Sequence, residues 1–315
     1  MKKIFSHPVY GVILTLITCA LWGSLFPFIK IGYSAFRIDS GNIPEIMLFA
    51  GLRFTLSGVI MVVIFSLGSK KPLLPEKKDV CPVLTVAFLS IVLHYAFTYV
   101  ALSMGEGSKS AIIKQVGFLF LSCLSFLFVK GEHFSTRKLL CGVLGFLGII
   151  VTGFDGGRLS FAAGDAMLLA ASLCAVAATL ITKRAVEKTS PLTLTAYSQL
   201  IGGAVMCIGG LALGGRITYF DVKALGAFVY ICAASIIAYV TWNTLIKYNS
   251  VAKMSIIKFT EPLFAVIFSG LFLGEDVFKT NYVIALVVIL LAILLDNGVA
   301  FKRSNESTGQ EAIEN

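Results

Sequence analysis

Residues Tyr95–Lys114 read YAFTYVALSMGEGSKSAIIK, and residues Tyr239–Lys258 read YVTWNTLIKYNSVAKMSIIK. Laid together without gaps, they match at Tyr95/Tyr239, Lys109/Lys253, Ile112/Ile256, Ile113/Ile257 and Lys114/Lys258. Downstream, Lys130-Gly131-Glu132 echoes Leu273-Gly274-Glu275 after a one-residue slip. Each stretch crosses the end of one apolar run and the start of the next. Apolar helices of low complexity also match by chance; two lysines falling at equivalent intramembrane places weigh against that reading.

Outward from these stretches, the whole chain is built of apolar runs. Its 315 residues are 57% hydrophobic and 14% charged, with a mean hydropathy of +0.90. A soluble globular chain carries about 25% charged residues. The runs fall at roughly 9–31, 45–68, 81–103, 109–129, 136–154, 163–183, 191–213, 223–246, 253–273 and 280–300, each long enough to cross a bilayer as a helix. Period-2 alternation is absent, which excludes an outer-membrane barrel. The expected fold is an all-α membrane protein, with ten transmembrane helices as two inverted five-helix repeats. Five spans per copy is an odd number, so the copies must face opposite ways across the membrane. The first repeat takes residues 1–155 and the second 156–301, and the polar residues 302–315 form a disordered cytoplasmic tail.

The net charge of +9 would suggest nucleic acid as the partner of a soluble protein. In a membrane protein it marks cytoplasmic loops instead. With both termini in the cytoplasm, 16 lysines and arginines fall on that side and 7 on the other, with Arg53, Lys114 and Lys258 inside spans. The bias places both termini inside and implies a multi-pass protein of the cytoplasmic membrane. Met1-Lys2-Lys3 and the run behind it resemble a signal peptide, but the run is too long and lacks a small-x-small cleavage site, so it reads as a retained first span. The seven cysteines are scattered singly, with no Cys-x-x-Cys and no Cys/His cluster. No metal site, disulfide or cofactor is expected.

Lys114 and Lys258 are the sharpest chemical feature. A lysine inside a span costs roughly 2.5–3.5 kcal/mol on insertion scales and needs a partner or a watery cavity. Each lies one to two turns into its run, so snorkelling to the interface is one reading. The other is a pair of cations, one from each half, that face a cavity and attract a carboxylate or phosphate. Glu261 follows Lys258 by three residues and can share its helix face. It is either a fixed ion-pair partner or a proton carrier, since burial raises a carboxyl's affinity for protons and a neighbouring lysine lowers it. Arg53 is a candidate for substrate binding or for a structural bond to backbone. His94 reads as a hydrogen-bonded core histidine more readily than as a proton relay. Trp22, Tyr95, Tyr99, Tyr239, Trp242 and Asn243 fall at comparable depth and could line a pocket or form an interfacial belt. Glu132 and Glu275 stand beside glycine at span ends, where capping or pairing suits them. The glycines of Gly142-x-x-Gly145-x-x-Gly148 and the pairs Gly202-Gly203, Gly209-Gly210 and Gly214-Gly215 suit close helix approach. Pro27 and Pro262 are candidate hinges within spans.

The order of these motifs resembles one family. Ala20-Leu21-Trp22-Gly23-Ser24-Leu25-Phe26-Pro27-Phe28-Ile29-Lys30 resembles the opening helix of the drug/metabolite transporter superfamily, EamA branch. Ser255-Ile256-Ile257-Lys258-Phe259-Thr260-Glu261-Pro262-Leu263-Phe264 through Phe272-Leu273-Gly274-Glu275 is similar to its ninth helix. Gly51-Leu52-Arg53-Phe54, Gly164-Asp165 and Lys183-Arg184 fit too, so the resemblance runs from about residue 10 to 300. It implies a ten-helix carrier with a central cavity lined by both halves, exporting metabolites such as amino acids or drugs. Family members commonly carry a proline in span four; Lys114-Gln115-Val116-Gly117 stands there instead. Gln115 thereby becomes a further candidate for substrate contact and Gly117 a candidate hinge.

The expected function is a secondary active transporter, an alternating-access permease for an amino acid or other zwitterionic or anionic solute, with proton coupling through Glu261 open. Export of amphipathic drugs or toxic metabolites is the alternative, and a channel or membrane-embedded interaction protein is a different class. An intramembrane enzyme is excluded by the lack of a nucleophile–base pair, paired aspartates or His-Glu-x-x-His. The expected partners are the lipid bilayer and a small molecule, no nucleic acid, and the chain stands as a monomer or homodimer.

Overall fold

The computed structural model describes residues 2–39, 41–69, 72–114, 161–249, 254, 257–258, 260–277 and 279–288, with scattered positions between 117 and 159 and at 291. In hydrocarbon no water satisfies a peptide group, so apolar runs close their hydrogen bonds within themselves as helices. Among the described residues six helices are long and apolar enough to cross a membrane: Val9–Ala35, Ile43–Ser69, Lys77–Met104, Ala163–Ala185, Pro191–Ala212 and Val222–Tyr248. In order the elements are α1 (Lys2–Phe5), α2 (Pro8–Ala35), α3 (Ile43–Ser69), α4 (Lys77–Val86), a π-helical segment (Ala87–Leu93) and α5 (His94–Met104). A two-residue antiparallel pair, β1 (Phe154–Asp155) and β2 (Arg158–Leu159), precedes α6 (Ala163–Ala185), α7 (Pro191–Ala212), α8 (Val222–Tyr248) and α9 (Glu261–Leu273). Residues 107–114 are helical as well. Most of the apolar runs 109–129, 136–154 and 280–300, with Gln115, Glu132, Gly142, Gly145 and the tail 302–315, lie outside the described residues. Among the described residues the regular structure is all-helical apart from the small β pair, and the chain is a membrane protein.

Polar caps extend the helices past the apolar runs. α2 continues to Ala35, beyond residue 31, and stops at Arg37, whose φ is 54°. There Phe36 N donates to Gly32 O at 2.9 Å and Ile38 N to Tyr33 O at 2.9 Å, satisfying carbonyls that the helix leaves open. α4 begins at Lys77 and not at 81, because Asp79 accepts from Glu76 N at 2.9 Å and from Thr189 Oγ1 at 2.7 Å. Pro262 departs further from expectation: it does not kink a continuous helix. Residues 257–258 are helical, Thr260 is a turn, and α9 starts afresh at Glu261 with Pro262 in its first turn. A proline there costs no hydrogen bond, since first-turn amides have no helical acceptor. Pro27 does lie inside its helix, α2.

α2 packs against both α8 and α9, α5 against α6, and α3 along α7. Glycine makes the α3–α7 contact close. A β-carbon on Gly58 would stand 2.7 Å from Leu200 Cα, and one on Gly210 would stand 2.7 Å from Leu48 N. The paired glycines divide their labour: Gly202, Gly203, Gly210 and Gly215 face neighbours, while Gly209 and Gly214 meet nothing within 4 Å among the described residues. Val63, Ile64, Leu67, Ile208 and Leu211 point outward; such a surface suits lipid and would aggregate in water.

Polar clamps tie the helix ends. Where α2, α5 and α9 finish, Glu275 accepts from Gly107 N (2.9 Å), Ser108 N (3.0 Å) and Ser108 Oγ (2.7 Å), and pairs with Lys30 at 3.1 Å. Lys30 also donates to Gly105 O at 3.0 Å. Beside it, Lys279 pairs with Glu106 at 2.8 Å and Lys109 with Asp165 at 2.9 Å. At the opposite end, Lys183 donates to Ile246 O at 2.8 Å and Asn249 O at 3.3 Å, and Asn249 Nδ2 donates to Phe5 O at 2.8 Å. The capping and pairing expected of Glu275 is what the fold shows. Burial pushes the Glu275 carboxyl up, but the donors from Gly107 and Ser108 and the Lys30 ammonium outweigh it and hold the group below its ordinary range.

Two outcomes follow from this packing. Gly58→Val should lower the thermal midpoint of the purified protein, at an overpacking cost of about 1–3 kcal/mol, whereas Gly209→Ala should leave it unchanged or raised; equal effects of the two would refute the close α3–α7 contact. Because the Glu275 carboxyl is depressed in the fold, its clamp stabilises fully above the ordinary carboxylate pKa of about 4.3 and is lost as pH falls through the lower folded value. The melting gap between wild type and Glu275→Gln should therefore be open at neutral pH and close under strong acid, and a pH-independent gap would contradict the clamp.

Candidate functional site

The helix interruptions gather around one cavity. α2 presents Trp22, Leu25, Phe26 and Ile29, a face with helical spacing of three and four residues. The π-helical segment and α5 add Ser90, His94, Tyr95, Thr98 and Leu102. α6 contributes a small and hydroxylic face of Ser172, Ala175, Ala178, Thr179 and Thr182, and α8 contributes Tyr239, Trp242 and Asn243. Lys114, Lys258 and Glu261 complete the wall. The space between atoms amounts to about 870 Å³ with the open side included.

Both lysines reach this cavity. The Lys258 ammonium lies 4.6 Å from the Trp22 ring centroid and 4.9 Å from that of Trp242. The Lys114 ammonium lies 5.5 Å from Phe26 and 5.7 Å from Tyr95. Ammonium groups so placed are held by the negative face of the ring, more strongly where water is scarce. The two indoles meet edge to face at 5.4 Å, and Trp22 meets Tyr239 likewise at 5.6 Å. The Trp22 indole N–H is buried and has no acceptor among the described residues. Glu261, 6% exposed, opens α9 beside Gly23. A β-carbon on Gly23 would stand 2.9 Å from Glu261 O, so α2 and α9 touch backbone to backbone at the level of Trp22.

The other expected residues divide. Tyr95 and Tyr239, equivalent in the repeat, are joined hydroxyl to hydroxyl at 2.9 Å. Asn243 Nδ2 donates to Thr195 Oγ1 at 2.7 Å. Arg53 does not line the cavity. It is fully buried behind Tyr95, 5.4 Å from that ring, and donates to Ser235 Oγ and Tyr99 OH. Tyr99 is likewise fully buried behind the wall. Gly117 is helical and buried against Ser172, where a β-carbon would collide with the serine side chain. In the gapless alignment Gly117 stands opposite Glu261, so one half offers a carboxylate where the other has room for no side chain.

Some lining residues escaped the sequence reading. His94, read as a core histidine, is buried and hydrogen-bonded as expected, with Nδ1 donating to Ala171 O at 3.0 Å, yet it also borders the cavity. Phe26 follows Trp22 by one turn and was legible from that spacing. Ser172, Thr179 and Thr182 recur at helical intervals on α6, a polar stripe that hydropathy averaging conceals. Ser90 is displaced toward the cavity by the π segment, an irregularity common at functional sites and invisible to a period of 3.6.

Comparison with known proteins fits this architecture. The profile of the EamA-like transporter family matches residues 9–154 and again residues 162–297. The chain is 24% identical over 275 residues to the uncharacterized transporter YyaM of Bacillus subtilis (strain 168), covering 84% of this chain and 88% of that protein. It is 26% identical over 296 residues to the uncharacterized inner membrane transporter YedA of Escherichia coli (strain K12), covering 91% and 90%. A solved structure titled "Crystal structure of protein" shares the fold, with TM-score 0.66 and 16% identity, over 94% of this chain and 99% of that one. With the same profile matching twice in succession and spanning most of its length, the chain belongs to the EamA-like transporter family and is a membrane transporter, not an enzyme.

Proposed function

We propose that this transporter is a secondary carrier that moves a small carboxylate-bearing solute, an amino acid or another zwitterionic or anionic metabolite, out across the cytoplasmic membrane. The observation that carries the reading is the meeting of Lys114 and Lys258 in one aromatic-walled cavity. Two ammonium groups there attract a carboxylate and repel a hydrophobic cation, which sets this reading above export of amphipathic drugs.

The carrier works by alternating access between two inverted five-helix halves, residues 1–155 and 156–301, with both termini in the cytoplasm. Three facts support the inverted relation. Lys30 reaches the carbonyl of Gly105 and Lys183 that of Asn249, and Gly105 and Asn249 are equivalent in the gapless alignment. α2 packs on α8 just as α6 packs on α5, the pairing that exchange of halves requires. The two clamps stand at opposite ends of α2, with Lys30 near its C-terminal end and the Lys183–Asn249–Phe5 contacts before its start. Repeats of this kind place the substrate between them and rock around it. Pro27, Gly117 and the break before Pro262 are the hinges, and Glu261 is the proton-coupling group.

Proteoliposomes test both claims. Solute trapped inside should accelerate uptake of labelled solute from outside, and Lys114→Ala and Lys258→Ala should each abolish that counterflow while the proteins remain monodisperse. Undiminished counterflow in either variant would remove the lysines from the site. Glu261→Gln should leave exchange running but make net transport insensitive to an imposed pH gradient; retained sensitivity would take Glu261 off the proton path.

A further inference from the structure

Resting on the carrier reading, we infer that the Lys30–Glu275 and Lys183–Asn249 clamps are the latches of two alternating gates, and that the Lys183 latch is the first to open. Two groups of helices enclose the cavity. In one, α2 packs on α8 and α9, and a β-carbon on Gly23 would stand 2.8 Å from Ala265 N. In the other, α5 packs on α6, and a β-carbon on Gly117 would stand 3.0 Å from Ser172 C. Backbones that close leave little room for sliding, so each group moves as a body. The cavity lies between them, with Trp22, Trp242 and Glu261 on one wall and His94, Thr98 and Thr179 on the other.

Both clamps cross from one group to the other. Lys30 on α2 donates to Gly105 O, just past α5, and Glu275, two residues past α9, accepts from Gly107 N and Ser108 N. At the far end Lys183 on α6 donates to Ile246 O on α8 and to Asn249 O just past it. Each clamp stands at the edge of the cavity. Ile29 beside Lys30 and Thr182 beside Lys183 both line it, at 3% and 4% exposure. A solute leaving past Ile29 must part the first set of bonds, and one leaving past Thr182 must part the second. Between them Tyr239 donates to Tyr95 at 2.9 Å, a contact across the middle about which the groups can rock.

The latches are unequal. Glu275 accepts from two amides and the Ser108 hydroxyl while it pairs with Lys30, and Tyr33 OH adds a bond to Tyr99 O at 3.1 Å on the same side. Among the described residues Lys183 has two neutral carbonyls, one of them at 3.3 Å. A carboxylate met by an ammonium and several donors holds harder than an ammonium on carbonyls alone. The weaker set lets go first, at the end where Asn249 also holds Phe5 O. In the orientation proposed above that is the cytoplasmic end, where an exporter collects its solute.

Ile29→Cys and Thr182→Cys, made singly in the full-length protein, put a thiol beside each latch. Alkylation by N-ethylmaleimide in nanodiscs, read peptide by peptide so that native cysteines do not intrude, reports the opening of each end. With both latches intact, position 182 should label faster than position 29. A contact made only in the sealed state, once removed, shifts the population toward the open one. Glu275→Gln should therefore raise labelling at position 29 about tenfold, the worth of one charge-assisted hydrogen bond, with no rise at position 182. Lys30→Met should act in the same direction through the same latch. Lys183→Met should raise labelling at position 182 with no rise at position 29. A rise at both positions is general loosening and would overturn the latches, as would no rise at either; faster labelling at position 29 with both latches intact would overturn the order of opening. Counterflow separates the two claims. End-specific labelling without exchange of any solute leaves the latches standing and removes the carrier; exchange with loosening at both ends does the reverse.

Discussion

The bilayer interior offers no hydrogen bonds, and that one constraint decides where this chain can be irregular. Backbone may leave the α-helical ladder only where protein groups or a watery cavity take up the released amides and carbonyls. The chain departs from it at the π-helical segment Ala87–Leu93 and at the turn before Glu261, and both departures border the same cavity. Thr260 shows local satisfaction directly: its amide and its hydroxyl both donate to Ile257 O, at 3.0 and 2.8 Å. The site is thus the place where interrupted helices are tolerable, and interrupted helices are what give it polar groups.

The same constraint explains how charge is handled. Arg53 is fully buried, and its partners among the described residues are hydroxyls and aromatic faces. Lys114 and Lys258 rest on rings. Cation–π contacts and neutral hydrogen bonds hold a cation without adding an opposite charge beside it, and Glu261 supplies a carboxylate in the same cavity as the two lysines. Among the described residues, the pairs Lys30–Glu275, Lys279–Glu106 and Lys109–Asp165 stand at helix ends, where they fix loops.

Much of this was legible in the residues. Hydropathy located the six long helices, because a span must be apolar whatever it packs against. The Tyr95/Tyr239 and Lys114/Lys258 matches picked out four residues that line one cavity. Arg53 was left open between a cavity and a structural place, because residue type alone cannot tell a cation that faces a cavity from one lodged behind its wall. Pro262 was read as a kink because a local rule gives proline in a helix one meaning, whereas a break two residues earlier gives it another. Ser90 and the hydroxyl stripe of α6 were hidden for a different reason. Their polarity is small beside the apolar average of their spans, and only the π segment or the facing helix shows which way they point.

The hydrogen bond between Tyr95 and Tyr239 has a geometric meaning on the inverted-repeat reading. Equivalent residues that touch each other must lie on the pseudo-symmetry axis, and points on a rotation axis do not travel. Helix ends far from it sweep through the largest arcs, and those are the ends carrying the lysine clamps. The tyrosine pair would then be a fulcrum, intact in every posture of the protein. A carrier built this way could exchange which end is sealed without dismantling its centre.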